Sequence, residues 1–219
     1  MARDWKTWHD DYDEPGSSLA QRLDAVQTNI RKALDDSPPG PLRVISVCAG
    51  QGRDVLGVLA DHPRRADVQA RLVELDPRNT AVALQSVQDA GLQGVDVVTG
   101  DASLTDHYAD LVPADLVVLC GIFGNIVDAD IERTIDFATQ VTKTGGTVFW
   151  TRGRHAPDLF PQVAQWFEER GFERVWLSGP EVSYGVGVHR FTAEPQPFQA
   201  GAKLFDFIGS DVLRQASGT

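Results

Sequence analysis

The segment from residue 44 to 54, VISVCAGQGRD, constrains the fold most, because an apolar run ends there in a turn of small residues. Gly50 and Gly52 allow the backbone to pass close to a ligand, and the first N–H groups of a following helix would point at it. A second apolar run ends in LVELDP, which places Asp76 at about the 20-residue spacing of the acidic residue that meets a ribose hydroxyl in nucleotide-binding βαβ units. The sequence therefore predicts a nucleotide-type site at strand ends.

Apolar strands and amphipathic helices alternate along most of the chain. A leading helix over 19–35 follows a capping box that begins at Ser18, and Asp76 with Pro77 opens a helix that closes at Gly91. The other predicted helices are 52–60, 128–141 and 157–170, and the predicted strands are 42–48, 70–75, 95–99, 115–120, 147–151, 172–177 and 185–191. Five βα units followed by an antiparallel pair predict an α/β, doubly wound sheet.

Composition limits the partners. The chain has 219 residues, 42% of them hydrophobic, which predicts one globular domain with a full core. A net charge of −11 repels phosphate backbones and anionic lipid, so nucleic acid and membranes are unfavourable partners. A polar, aromatic start and two cysteines without metal-ligand spacing indicate a cytoplasmic protein with no metal site. The oligomeric state is left open.

Three motifs in order, VISVCAGQGR, VELDPRN and GDAS, resemble those of the class I S-adenosylmethionine-dependent methyltransferases. The resemblance implies a seven-stranded sheet, mostly parallel with an antiparallel terminal strand, in the order 3-2-1-4-5-7-6. It covers residues 17–192, with 1–16 as an N-terminal arm that could act as a lid. Residues 193–219 form a tail, in which 202–208 could add an edge strand or dock as an arm. Two positions depart from the motif, since Cys48 replaces its first glycine and Ser46 its usual acid.

The resemblance also implies cofactor contacts at successive strand ends. Asp76 would accept both ribose hydroxyls, with Glu74 as a competitor, and Asp101 would take the adenine amino group. Either Asp76 or Asp101 could instead be a plain helix cap. The implied cofactor-binding residues are Cys48, Ala49, Gly50, Gly52, Asp76, Pro77, Asp101, Ala102, Gly121 and Phe123.

No residue has an unmistakable catalytic role. Tyr12, in an aromatic arm that also carries Trp5 and Trp8, is a candidate for contact with cofactor or substrate, or it simply docks on the domain. His155 is a candidate base beside Arg152 and Arg154, which could bind an acidic substrate or form a solvated charge cluster.

The sequence thus predicts a methyltransferase that uses S-adenosylmethionine to methylate a small molecule by direct in-line transfer. One alternative is an NAD(P)-dependent oxidoreductase, although Val55 occupies the third glycine position of that fingerprint. Another is a non-catalytic S-adenosylmethionine-binding protein, which the serine at position 46 favours. If the strand order is right, Cys48 and Cys120 lie near each other at the ends of neighbouring strands.

Overall fold

The computed structural model describes residues 12–14 and 16–216 of the chain. Helices and strands alternate through this part. Their bounds are α1 Ser18–Asp36, β1 Leu42–Val47, α2 Arg53–Leu59, β2 Val68–Glu74, α3 Pro77–Asp89, β3 Val95–Thr99, β4 Ala114–Leu119, α4 Asp128–Val141, β5 Thr142–Gly153, α5 Phe160–Glu169, β6 Phe172–Leu177, β7 Tyr184–Phe191 and α6 Ser210–Ala216.

The seven strands form one sheet in the order β3-β2-β1-β4-β5-β7-β6, which confirms the predicted α/β fold and topology. β7 runs antiparallel to both β5 and β6, and the other pairs are parallel. β1 and β4 are neighbours with Ser46 opposite Val118, so Cys48 and Cys120 follow matched positions at the same edge, as predicted. The chain reverses its winding direction between β1 and β4, and in such sheets ligands bind beyond the carboxyl ends of the strands at that point.

The sheet is covered on both faces, which explains the apolar character of its central strands. Every residue of β4 is buried. One face packs against α4 and α5, where Trp150 stacks on Phe167 with ring centroids 5.6 Å apart. The opposite face packs against α1, α2 and α3. Position 187 in β7 needs a glycine, because a Cβ atom there would lie only 2.2 Å from the indole ring of Trp150.

Several element ends differ from the sequence predictions. The N-cap of α1 is Ser17, not Ser18, and its hydroxyl accepts a hydrogen bond from the Ala20 N–H at 3.0 Å. α5 begins at Phe160 rather than Pro157, because the Asp158 carboxylate accepts from the Phe160 N–H at 2.9 Å. β5 begins five residues earlier than the predicted 147, since Thr142 already pairs with Ala114 before a bulge.

Within the described residues, the tail packs against two loops and adds no strand to the seven-stranded sheet. We call residues 201–210 the strap. At one end Lys203 bridges to Leu104, and the Leu204 N–H donates to the Ser103 carbonyl at 2.9 Å. At the other end the Ile208 N–H donates to the Asn125 carbonyl at 2.9 Å. The strap therefore joins the loop after β3 to the loop after β4. The short helix α6 that follows it had no predicted counterpart.

Candidate functional site

A cavity of about 500 Å³ opens at the carboxyl edge of the sheet. Its walls come from the loops after β1, β2, β3 and β4, from α1 and α2, and from the strap. The size and position are those of a small-molecule site at the switch point of an open α/β sheet.

Most of the predicted cofactor-binding residues line this cavity. Those that do are Cys48, Ala49, Gly50, Asp76, Asp101, Ala102 and Gly121. Cys48 adopts φ +52°, a conformation that favours glycine, so the cysteine keeps the backbone of the glycine it replaces in the motif. The turn after β1 thus retains its shape despite the changed residue.

Three predicted cofactor-binding residues lie outside the cavity walls. Gly52 has φ +69°, and a Cβ atom there would lie 2.8 Å from side-chain atoms of Leu56 and Leu72, so it serves helix–strand packing. Pro77 is the first residue of α3. Phe123 is completely buried in the core.

Glu74 stands at the end of β2 and faces the cavity. One carboxylate oxygen accepts from the Gly50 N–H at 2.9 Å, and the other accepts from the Asp76 N–H at 2.9 Å. Glu74 forms no ion pair within the described part of the chain. Its charge therefore remains available to a ligand in the cavity.

Asp76 has a different environment. Its carboxylate caps α3 by accepting from the Arg78 N–H at 2.9 Å, and it also pairs with the Arg78 guanidinium at 2.6 Å. The helix-cap role considered for Asp76 is thus present, and its charge is compensated. Asp101 likewise accepts from the N–H and the hydroxyl of Ser103, at 3.0 and 2.7 Å. We call the part of the cavity around Glu74, Asp76 and Asp101 the acidic end.

Another part of the cavity wall carries charges of both signs. Asp54 lies in the first turn of α2, and burial raises the pKa of its carboxyl, while the nearby Arg22 guanidinium lowers it. Arg22 donates to the Tyr12 hydroxyl at 2.5 Å. Burial also raises the pKa of the Cys120 thiol, and the Asp54 charge adds to that effect. We call the surroundings of Asp54, Arg22 and Tyr12 the paired end.

Sequence reasoning missed Arg22 and Asp54 as wall residues. Asp54 follows the glycine motif directly, and that proximity was the available signal. Arg22 belongs to α1, and no pattern in the sequence around it indicates that it reaches the cavity.

The two candidates for catalysis have different positions. Tyr12 lines the cavity, and the neighbouring Asp13 pairs with Arg53 at 2.6 Å, which fixes the end of the arm to α2. Trp5, Trp8 and the rest of residues 1–11 lie outside the described residues, so the lid remains a prediction.

His155 is exposed beside Gly153 and is not a wall residue of this cavity. Neither arginine near it points into the cavity. Arg152 donates to the Phe123 carbonyl, and Arg154 lies 4.4 Å above the Phe160 ring. The histidine and the two arginines therefore do not converge on the site.

No helix in the described residues is long and apolar enough to cross a membrane.

Comparisons with known proteins agree with this geometry. Solved structures share the fold at low sequence identity. A carbon methyltransferase, CurJ, is 16% identical with a TM-score of 0.69, over 87% of this chain and 59% of that one. An O-methyltransferase family protein from Burkholderia thailandensis is 15% identical with a TM-score of 0.65, over 86% of this chain and 60% of that one. This chain thus spans about three fifths of the length of both proteins.

A TehB-like SAM-dependent methyltransferase from Corynebacterium glutamicum is 18% identical with a TM-score of 0.56, over 82% of this chain and all of that one. No curated protein matches the sequence. Residues 17–168 match a family model described as "Putative methyltransferase". That match covers more than half of the sequence, and the chain belongs to this methyltransferase family.

Proposed function

We propose that the protein transfers a methyl group from S-adenosylmethionine to a small-molecule acceptor. The observation that carries the proposal is a single cavity whose wall includes both the carboxylates of the acidic end and the oppositely charged Asp54 and Arg22 of the paired end. S-adenosylmethionine has a nucleoside without phosphate at one end and an amino acid with both charges at the other. The two ends of the cavity match the two ends of that molecule.

The acidic end suits a nucleoside because carboxylates accept hydrogen bonds from ribose hydroxyls and from an adenine amino group. Glu74 is fixed by two backbone N–H groups and lacks a cationic partner among the described residues, so we assign the ribose hydroxyls to it. Asp76, which is paired with Arg78, then contributes less to binding than the sequence predicted. Asp101 keeps its proposed place near the adenine.

The same contacts argue against a nicotinamide dinucleotide. A pyrophosphate needs the free N–H groups of the glycine turn. Here the Gly50 N–H is already bonded to the Glu74 carboxylate, which would also repel a phosphate. The oxidoreductase alternative therefore conflicts with the site.

The protein's part in the reaction is to position the reactants and to exclude water. The bound cofactor supplies an electrophilic methyl group on a sulfonium. The loop after β4, with Cys120 and Gly121, forms part of the cavity wall, and the Cys120 thiol lies within the influence of the Asp54 and Arg22 charges. The Tyr12 hydroxyl accepts a hydrogen bond from Arg22, and burial raises its pKa above the ordinary value, which disfavours a role as a base.

A small acceptor is supported by the charge and by the cavity. The net charge of −11 disfavours a nucleic acid, and residues of the strap and of α1 contribute to the cavity wall. The cavity falls in the lower half of the range of about 300–1,000 Å³ that is usual for small-molecule sites.

Calorimetry with S-adenosylhomocysteine and S-adenosylmethionine tests the cofactor. We expect both to bind, and absence of binding by either would contradict the proposal.

A second experiment incubates the protein and methyl-labelled S-adenosylmethionine with a cell extract. Label should enter the small-molecule fraction, whereas label confined to RNA or protein would exclude a small acceptor. Binding without any S-adenosylhomocysteine formation would support the non-catalytic alternative.

A further inference from the structure

Asn125, in the loop after β4, accepts several hydrogen bonds from the strap. Its backbone carbonyl accepts from the N–H groups of Ile208 and Gly209 at 2.9 and 3.0 Å. Its side-chain Oδ1 accepts from the Ser210 N–H at 2.9 Å. Asn125 is only 8% exposed, so a loss of these bonds would leave buried polar groups without partners. One buried residue thus takes up three successive backbone donors of the strap.

The same side chain also holds the wall of the cavity. Its Nδ2 donates to the Gly121 carbonyl at 2.7 Å, and the Gly121 N–H donates to the Thr151 hydroxyl at 2.8 Å. Gly121 lines the cavity and adopts φ +79°. Because glycine has wide conformational freedom, hydrogen bonds on both sides of it are needed to fix its orientation. The Asn125 amide therefore joins the strap to a residue of the cavity wall.

The other end of the strap is fixed to the loop after β3. The Gly201 N–H donates to the Asp106 carboxylate at 2.7 Å, and the Ala202 N–H donates to the Thr105 hydroxyl at 3.0 Å. The same loop supplies Ala102 to the cavity wall. A single segment of ten residues thus spans two loops that both line the cavity.

Between its two fixed ends the strap contributes to the cavity itself. Phe205 and Phe207 both line it. The Asp206 N–H donates to one carboxylate oxygen of Asp130 at 3.1 Å, and Arg133 pairs with the other oxygen at 2.6 Å. The position of this part of the wall therefore depends on a small set of hydrogen bonds, and those at Asn125 are nearest to Phe207 in the chain.

We propose that Asn125 is a positioning residue that links docking of the strap to the shape of the cavity. While the strap is docked, Asn125 holds Gly121 in place and keeps the loops after β3 and β4 at one separation. Release of the strap at Asn125 loosens the loop after β4 and frees Phe207, so ligand affinity falls. Because linked equilibria are reciprocal, a ligand that binds the intact cavity also holds the strap more firmly. The inference goes beyond the proposed function and rests on it only for the choice of ligand.

Two matched substitutions at Ser210 test the contact between Asn125 and the strap. Ser210 is the first residue of α6, a position that tolerates proline because its fixed φ suits a helix start. Ser210→Pro removes the N–H that Asn125 Oδ1 accepts, whereas Ser210→Ala retains it. We expect Ser210→Pro to weaken S-adenosylhomocysteine about 3- to 10-fold in calorimetry, as for one lost hydrogen bond. Ser210→Ala should bind it as the wild type does.

Cys120 provides a second measurement that needs no ligand. It directly precedes Gly121, and in a Cys48→Ala background it is the one thiol of the chain. Iodoacetamide should modify Cys120 several-fold faster in Ser210→Pro than in Ser210→Ala, because release of the strap loosens the loop after β4. In the wild type, S-adenosylhomocysteine should also slow hydrogen exchange at the Ile208 and Gly209 amides.

Equal affinity and equal alkylation in the two Ser210 variants would overturn the inference, even if Ser210→Pro lowers the free energy of unfolding in urea. A wild type that does not bind S-adenosylhomocysteine would contradict the proposed function, and alkylation of Cys120 would then decide the inference alone. If Ser210→Pro fails to fold, Asn125→Asp takes its place. It keeps an acceptor for the Ser210 N–H but cannot donate to Gly121, so Cys120 alkylation at the wild-type rate would overturn the coupling.

Discussion

Glu74 and Asp76 show how two carboxylates of one motif can differ in function. They stand two positions apart in LVELDP, yet Glu74 is held by backbone N–H groups and Asp76 by a helix cap and Arg78. The sequence favoured Asp76 because its spacing fits a nucleotide-binding pattern. The spacing argument did not account for Arg78, because the ion pair between Arg78 and Asp76 becomes apparent only in the structure.

The difference predicts unequal effects of two matched substitutions. Glu74→Gln should weaken S-adenosylhomocysteine by about 1.5–3 kcal/mol, because it removes a charged acceptor. Asp76→Asn should cost less in binding, and it should lower the free energy of unfolding by about 1 kcal/mol or less through the weakened cap. Calorimetry and urea unfolding measure the two quantities. A larger binding loss for Asp76→Asn would restore the original assignment.

His189 is a residue whose protonation should control stability. It is completely buried in β7, and burial lowers its pKa to about 4, an effect that the nearby Glu168 opposes. Its Nδ1 accepts from the Trp150 indole N–H at 3.0 Å, so the neutral form is the one that fits. Between pH 6.5 and 4 the unfolded chain binds a proton that the folded chain does not.

We therefore expect His189 to reduce stability as the pH falls from 6.5 to 4, by up to about 3 kcal/mol. The free energy of unfolding in urea, measured at pH 7 and at pH 4.5, gives the size of the loss. His189→Gln keeps a hydrogen-bond acceptor for Trp150 and cannot titrate, so its loss over the same range should be smaller. Equal losses in the two proteins would show that His189 does not contribute.

At the scale of elements, the sequence predicted what local chemistry determines. Apolar runs bounded by glycine and proline placed the strands, and the bounds of β3, α4 and β6 were correct to the residue. The bulge that lengthens β5 and the path of the strap depend on contacts between distant segments, as with Lys203 and Leu104. Part of the cavity wall has the same origin, since Arg22 comes from α1 and Phe207 from the strap.

The strap should have separable structural and binding roles. Both Phe205 and Phe207 line the cavity, but Phe205 is 3% exposed and belongs to the core, whereas Phe207 is 41% exposed. Phe205→Ala should therefore lower the free energy of unfolding by about 3–5 kcal/mol. Phe207→Ala should leave unfolding almost unchanged and weaken S-adenosylhomocysteine several-fold. Unfolding in urea and calorimetry test the pair, and an unaltered affinity in Phe207→Ala would show that the strap only packs.

At the scale of the whole molecule, the reactivity of Cys48 and Cys120 tests both the strand order and the cavity. They follow neighbouring strands from opposite sides of the switch point, and both are free. Burial raises the pKa of each thiol, further raised by Glu74 and Asp101 at Cys48 and by Asp54 at Cys120. Because the thiolate is the reactive form, the native protein should react with iodoacetamide about 100-fold or more slowly than the urea-unfolded chain.

Ligands should then protect the two thiols differently, which tests fold and site together. S-adenosylhomocysteine spans both ends of the cavity and should slow alkylation of Cys48 and of Cys120. 5′-Methylthioadenosine fills only the acidic end, so it should protect Cys48 and leave Cys120 at its ligand-free rate. Mass spectrometry of Cys48→Ala and Cys120→Ala, each with one thiol, gives the separate rates. Protection of Cys120 alone by 5′-methylthioadenosine would reverse the proposed direction of the cofactor. Rapid alkylation of both native thiols would show that they are not shielded from the reagent.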